Sequence, residues 1–129
     1  DVGTVMNPLL LKGQIHGGVV QGIGQIVLEN LQFDPDSGQV LTGSLMDYAL
    51  PRADDVPNID VDSHPVPTPT NPLGIKGAGE AGTVGAMPCL HSAILDALAP
   101  LGIRWLDMPA SPHRVWAAIR DARRKKKAA

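Results

Sequence analysis

Between Asn71 and Thr83 the chain reads Asn-Pro-Leu-Gly-Ile-Lys-Gly-Ala-Gly-Glu-Ala-Gly-Thr, which sets one carboxylate, Glu80, among the four glycines of residues 74–82. A segment so poor in side-chain bulk cannot cover the acid itself, so Glu80 is aimed at something outside the loop. Glycine permits positive φ and lets a ligand approach the main chain, and successive backbone N–H groups can form a concavity that receives an anion. The pattern is that of a loop holding a cofactor or substrate.

Gly77-Ala78-Gly79-Glu80-Ala81-Gly82 also spells the dinucleotide fingerprint G-x-G-x-x-G. That fingerprint requires a buried strand before it and a helix directly behind it, with the pyrophosphate on the helix N-terminus. Pro65, Pro67, Pro69 and Pro72 precede it here, and proline neither donates to a sheet ladder nor lets its predecessor enter a helix easily. Glu80 also adds negative charge where a pyrophosphate needs donors. A nicotinamide-dinucleotide domain therefore stands only as a rival reading, one that calls for tight NAD binding by this chain.

The rest of the chain reads as an α+β domain of short mixed strands with about three helices. Residues 1–6 read as a strand end stopped by Asn7-Pro8. From Gln14 to about Leu31 the residues Ile15, Val19, Ile23, Ile26, Val27 and Leu31 fall at spacings of three and four, one stripe of a helix. Gly17, Gly18, Gly22 and Gly24 interrupt it at about 1 kcal/mol each, a cost that close contact with another backbone or a cofactor would offset. Phe33 to Gln39 is a turn by composition joining the helix to a strand at Val40–Tyr48, Ile59–Asp62 alternates as a half-exposed strand does, Met87–Leu98 has a helical apolar face, and Ser111-Pro112 opens a last helix.

A chain of 129 residues, 43% hydrophobic, suits one domain, and no 18 consecutive residues are apolar, so no membrane span is expected. Its single cysteine, Cys89, excludes an internal disulfide and any iron–sulfur cluster or four-thiolate zinc site built from this chain alone. His16, His64, His91 and His113 share no ligand spacing, and no side chain is assigned to a metal. Residues 1–119 hold 12 acidic and 5 basic side chains, whereas 120–129 hold six Lys and Arg against one Asp. This divides the chain into a domain, 1–119, and a basic tail, 120–129, expected to be disordered and solvated rather than bound to nucleic acid. With neither leader nor initiator methionine, the sequence reads as a piece of something longer.

Asp1-Val2-Gly3 with Asn7-Pro8, Gly13-Gln14-Ile15-His16-Gly17-Gly18 through Gln21-Gly22-Ile23-Gly24-Gln25, Met46 to Ala53, and Asn71 to Gly82 resemble, nearly continuously over residues 1–120, the molybdenum-cofactor-binding large subunits of the xanthine dehydrogenase, aldehyde oxidase and aerobic carbon monoxide dehydrogenase family. The resemblance covers the C-terminal part of that subunit. It implies a cytoplasmic hydroxylase acting on an aldehyde, N-heterocycle, purine or carbon monoxide, with water as the oxygen source and Glu80 as general base. It also implies that Gln14 hydrogen-bonds the pterin and that Lys76, Gly77, Ala78 and Gly79 run beside it. The cofactor is then molybdenum-molybdopterin, in its cytosine dinucleotide form, and the partners are the remainder of the large subunit together with chains or domains carrying iron–sulfur clusters and FAD. Burial at such a centre would raise the pKa of Glu80 toward the range a base needs. For Gln14 a helix-start cap stays open, for Glu80 a surface acid, and for the whole chain a non-catalytic assembly role; by the same resemblance the chain should not turn over alone.

Overall fold

The computed structural model describes residues 1–128 and is built on two helices that touch through their backbones. Helix α1 spans Pro8–Val27, α2 spans Ala81–Leu98 and α3 spans Pro112–Ala128. Single 3-10 turns lie at Ala53–Asp55 and Ala99–Leu101.

Helix α1 begins six residues before the expected start. Asn7-Pro8, read from sequence as a stop, is a start: Asn7 Oδ1 accepts from the Leu10 N–H at 3.1 Å and Pro8 occupies the first helical position, where its missing N–H costs nothing. The helix ends at Val27 rather than Leu31, and the Leu28 and Glu29 N–H groups both donate to the Gly24 carbonyl.

Two of the interrupting glycines, Gly18 and Gly22, are explained by α2; Gly24 instead packs against Glu29 and Pro51, and an added Cβ on Gly17 would meet nothing within 4 Å. A Cβ on Gly18 would meet the Thr83 backbone nitrogen at 3.0 Å, one on Gly22 the Ala86 Cβ at 2.7 Å, and one on Gly82 the Ile15 carbonyl oxygen at 2.5 Å. Thr83 Oγ1 donates to the Gly18 carbonyl at 3.0 Å across the same seam. The neighbour is another backbone at Gly18 and the Ala86 methyl group at Gly22, and the close approach offsets the helix propensity lost at these two positions. Ile26, Leu98 and Ala110 close the far end of the seam, where the Ala110 N–H donates to the Ile26 carbonyl at 2.6 Å.

The short mixed strands are not present: among the described residues there are two isolated antiparallel bridges, Gly3 with Ile75 and Phe33 with Val40, and no strand. Val40–Tyr48 pairs only through the single bridge of Val40 to Phe33, Ile59–Asp62 has the alternation of a strand but forms no bridge, and a strand exists only as one of a pair. The Phe33–Gln39 turn does form. Asp34 Oδ1 accepts from the Ser37 N–H at 2.8 Å, the Ser37 hydroxyl at 2.8 Å and the Asp36 N–H at 3.1 Å, and these donors, the Ser37 N–H first, hold its carboxyl below the usual range.

Helix α2 opens at Ala81, six residues before the expected Met87, and is long and apolar enough by length and composition to cross a membrane. Helix α3 opens as expected at Ser111-Pro112, with the Val115 N–H donating to the Ser111 carbonyl at 2.9 Å. Residues 120–128, expected as a disordered tail, continue α3. Lys and Arg are good helix formers, and Lys125, Lys126 and Lys127 in the last turn complement the negative end of the helix dipole.

The loop after α1 is tied back by one hydroxyl, that of Tyr48, which donates to the Glu29 carboxylate and is raised in pKa by that hydrogen bond. The raised value means that the link is fully present below the ordinary tyrosine pKa and is lost as pH climbs through the folded one. Because Tyr48 is the single tyrosine, tyrosinate absorbance of this chain reports it alone. The titration is expected to have its midpoint above that of free tyrosine and to move back toward it in Glu29→Gln.

Candidate functional site

The loop from Asn71 to Glu80 is fixed at one end and bare at the other. At the fixed end Asn71 brackets its own turn, its Oδ1 accepting from the Ile75 N–H at 3.2 Å and its Nδ2 donating to the Ile75 carbonyl at 3.0 Å. Gly74 takes φ 65°, and a Cβ there would meet Pro67 Cβ at 2.8 Å, so this glycine is required by the turn. The N-terminal segment then clamps the loop: the Thr4 N–H donates to the Gly74 carbonyl and the Lys76 N–H to the Val2 carbonyl, both at 3.0 Å.

Asp1, which the sequence did not single out, is the centre of that clamp. Its Oδ2 pairs with Lys76 Nζ at 2.5 Å, and its Oδ1 accepts from the Gly3 and Val66 N–H groups, each at 2.9 Å. Lys76 is therefore engaged inside the chain through both its ammonium and its amide. The pair is about a third exposed on each side, which limits it to about 0.2–1 kcal/mol. Asp1→Asn is expected to leave the melting temperature nearly unchanged while amide exchange at Lys76 rises several-fold, as NMR exchange rates would show.

Beyond Lys76 the backbone opens. The N–H groups of Gly77, Ala78 and Gly79 donate to no protein acceptor among the described residues, and an added Cβ on Gly77 or Gly79 would meet nothing within 4 Å. Neither glycine takes a positive φ; in this loop only Gly74 does. The fold of this chain thus accounts for Gly74 and Gly82 and leaves Gly77 and Gly79 facing open space.

Gln14 is brought to this stretch. It lies in the second turn of α1, which rules out the helix-start cap, a role filled by Asn7, and its Nε2 donates to the Gly79 carbonyl at 3.3 Å. Its amide oxygen remains as an acceptor. Between α1 and the clamped loop runs an open groove of about 350 Å³ whose walls include Met6, Leu10, Gln14, Lys76 and Ala78.

Glu80 follows Gly79 directly and is the N-cap residue of α2, with φ −107° and ψ 3°. Its carbonyl accepts from the Val84 N–H at 3.1 Å, but its side chain makes no capping hydrogen bond and is exposed. The carboxylate is therefore committed to no structural task within the chain. The enclosure that desolvation would require is absent here and must be supplied by other polypeptide.

The dinucleotide reading does not survive this geometry. A helix does open behind the fingerprint, but the residues before it are proline-rich coil, and Gly82 faces the backbone of α1. Among the described residues no three His, Cys, Asp or Glu side chains are placed to hold a metal ion. His16 and His91 each direct Nε2 at a loop carbonyl, of Ile59 and Leu106, at 2.9 Å.

A family model described as a molybdopterin cofactor-binding domain matches residues 1–57. The carbon monoxide dehydrogenase large chain of Hydrogenophaga pseudoflava is 39% identical over 121 residues, which are 94% of this chain and 15% of that one. The nicotine 6-hydroxylase large subunit of Paenarthrobacter nicotinovorans is 38% identical over 115 residues, 89% of this chain and 14% of that one. The crystal structure of quinoline 2-oxidoreductase from Pseudomonas putida 86 superposes with a TM-score of 0.86 at 42% identity, covering 93% of this chain and 15% of that one. The chain spans about 15% of the length of the relatives it matches.

Proposed function

Because this chain belongs to the xanthine dehydrogenase, aldehyde oxidase and carbon monoxide dehydrogenase family, as a segment of its molybdenum-binding large chain, we propose that it forms one wall of a molybdopterin site and supplies that site's general base. The observation that carries the reading is the bare backbone of Gly77 and Gly79 between Gln14 and Glu80: two glycines that this fold does not require, beside one amide and one carboxylate with nothing else to do.

Those residues fit a pterin. Its ring edge carries alternating donors and acceptors, matched by the amide oxygen of Gln14 and the free N–H groups of Gly77, Ala78 and Gly79, and the absent Cβ atoms let a flat ring lie against the main chain. Bound molybdopterin supplies the redox chemistry, the oxygen inserted into the substrate being that of water. Glu80 accepts the proton released as that oxygen becomes nucleophilic, and its carboxylate, free of a capping bond, can turn to do so. The clamp at Asp1 and Lys76 holds the loop while this happens. The cytosine dinucleotide form of the cofactor, an aldehyde, N-heterocycle, purine or carbon monoxide as substrate, and electron transfer to iron–sulfur and flavin partners complete the proposal.

Gly77→Val tests the cradle apart from the chemistry. Within this chain the new side chain enters open space, so the secondary structure and melting temperature of the complete enzyme are expected to hold, while molybdenum per large chain falls about tenfold or more as the added bulk excludes the ring. Elemental analysis of the purified complex reads the outcome. Full molybdenum occupancy in the variant would place the cofactor elsewhere.

A further inference from the structure

Helix α2 breaks the rule that a surface helix is polar on its outer side. Opposite its glycine-lined seam with α1, the residues Val84, Gly85, Pro88, Cys89, Ser92 and Ala93 form one exposed stripe that carries no charge until Asp96 in the last turn. Asp96, near the end, is the only Asp, Glu, Lys or Arg on the whole helix. An apolar helix that is apolar all round is one built to be covered on every side.

We infer that the outer face of α2 is a packing surface buried, in the complete enzyme, by an apolar face of the part of the molybdenum large chain that this sequence lacks. The inference rests on the reading of the chain as one segment of that subunit. Most of the relatives' length lies outside the matched region, so there is polypeptide of the same subunit to do the covering. The stripe itself limits the occupant. With a single charge, Asp96, confined to its last turn, it does not recruit a strongly acidic or basic partner. Gly85, where an added Cβ would meet nothing within 4 Å, leaves a notch that an apolar side chain can fill. Nor does the face fit a bilayer, although α2 is long enough to span one. The helix is locked backbone to backbone against α1, which carries Lys12, Gln14, Gln21 and Gln25 and would have to enter the lipid with it.

Cys89 stands in the middle of the stripe and is the only cysteine of the chain, so it reports the cover directly. The complete enzyme is alkylated with iodoacetamide and the Cys89 peptide is quantified by mass spectrometry, native and in denaturant. Burial is expected to slow native labelling about 100-fold or more relative to the denatured sample. A native rate within about threefold of the denatured one would overturn the inference. So would protection that appears only when phospholipid vesicles are added, since lipid and not protein would then be the cover. In a second arm Gly85→Trp is expected to cut the yield of assembled large chain about tenfold, whereas Gln25→Trp, on an exposed polar position of α1, is not. Equal yields would count against the packing surface. Molybdenum measured in the same samples separates the two claims: a protected Cys89 in protein that never carries molybdenum upholds the packing and defeats the proposed function, and a freely labelled Cys89 in fully loaded enzyme does the reverse.

Discussion

Replacing Glu80 by Gln in the metal-loaded complete enzyme is expected to lower kcat by about 10²–10⁴-fold, the range that one positioned general base contributes, with molybdenum content and melting temperature unchanged. The structure makes this variant unusually clean. An N-cap side chain that hydrogen-bonds its helix costs stability when replaced, but Glu80 makes no such bond, so glutamine keeps the shape of the residue and removes only its ability to take a proton. If substrate binding depended on the charge, KM would rise; a base acting in the chemical step lowers kcat and kcat/KM together. A variant that retains full turnover with full metal occupancy would leave Glu80 as a surface acid and this chain as a structural wall.

The second large effect is on folding. Gly82→Val is expected to destabilise the chain by about 3 kcal/mol or more, beyond the usual cost of an extra methyl group in a packed site. The atoms that its Cβ would meet are the Ile15 carbonyl oxygen at 2.5 Å, the Val19 nitrogen at 2.9 Å and the Gly18 carbonyl carbon at 3.1 Å. All belong to the main chain of α1 and cannot rotate aside. Gly85→Ala, three residues on and in open space, supplies the contrast: the same helix gains a better helix former without a clash, about 1 kcal/mol in the opposite direction. Urea midpoints of the two variants measured side by side check the pair. Equal midpoints would mean that the seam between α1 and α2 does not hold the fold.

The seam was legible in the sequence and its ends were not. Glycines at Gly18 and Gly22 inside an otherwise apolar helical stripe announced a close neighbour, because nothing but a close neighbour offsets their cost. Asn7-Pro8 misled because one dipeptide serves both to end a strand and to start a helix, and only the hydrogen bond to Leu10 distinguishes them. The start of α2 was hidden by Gly82, Gly85 and Pro88, residues that local propensity assigns to loops and that tertiary contact admits to this helix. Ile59–Asp62 carries the alternation of a strand, but alternation records which faces differ in polarity, not whether a neighbouring edge is present.

The site divides in the same way. Gln14 and Gly79 were expected along one cofactor, and the structure joins them by a hydrogen bond across 65 positions of sequence. The ion pair of Lys76 was not legible, since its partner, Asp1, lies 75 residues away and no local pattern connects them.

Because α1 meets α2 through main-chain atoms at Gly18 and Gly82 and through the Ala86 methyl group at Gly22, the separation between the turn that carries Gln14 and the residue that carries Glu80 is set mainly by peptide geometry. Substitutions elsewhere on either helix can accumulate without altering that gauge. A scaffold of this kind can exchange the surfaces around it while Glu80 and Gln14 stay in register.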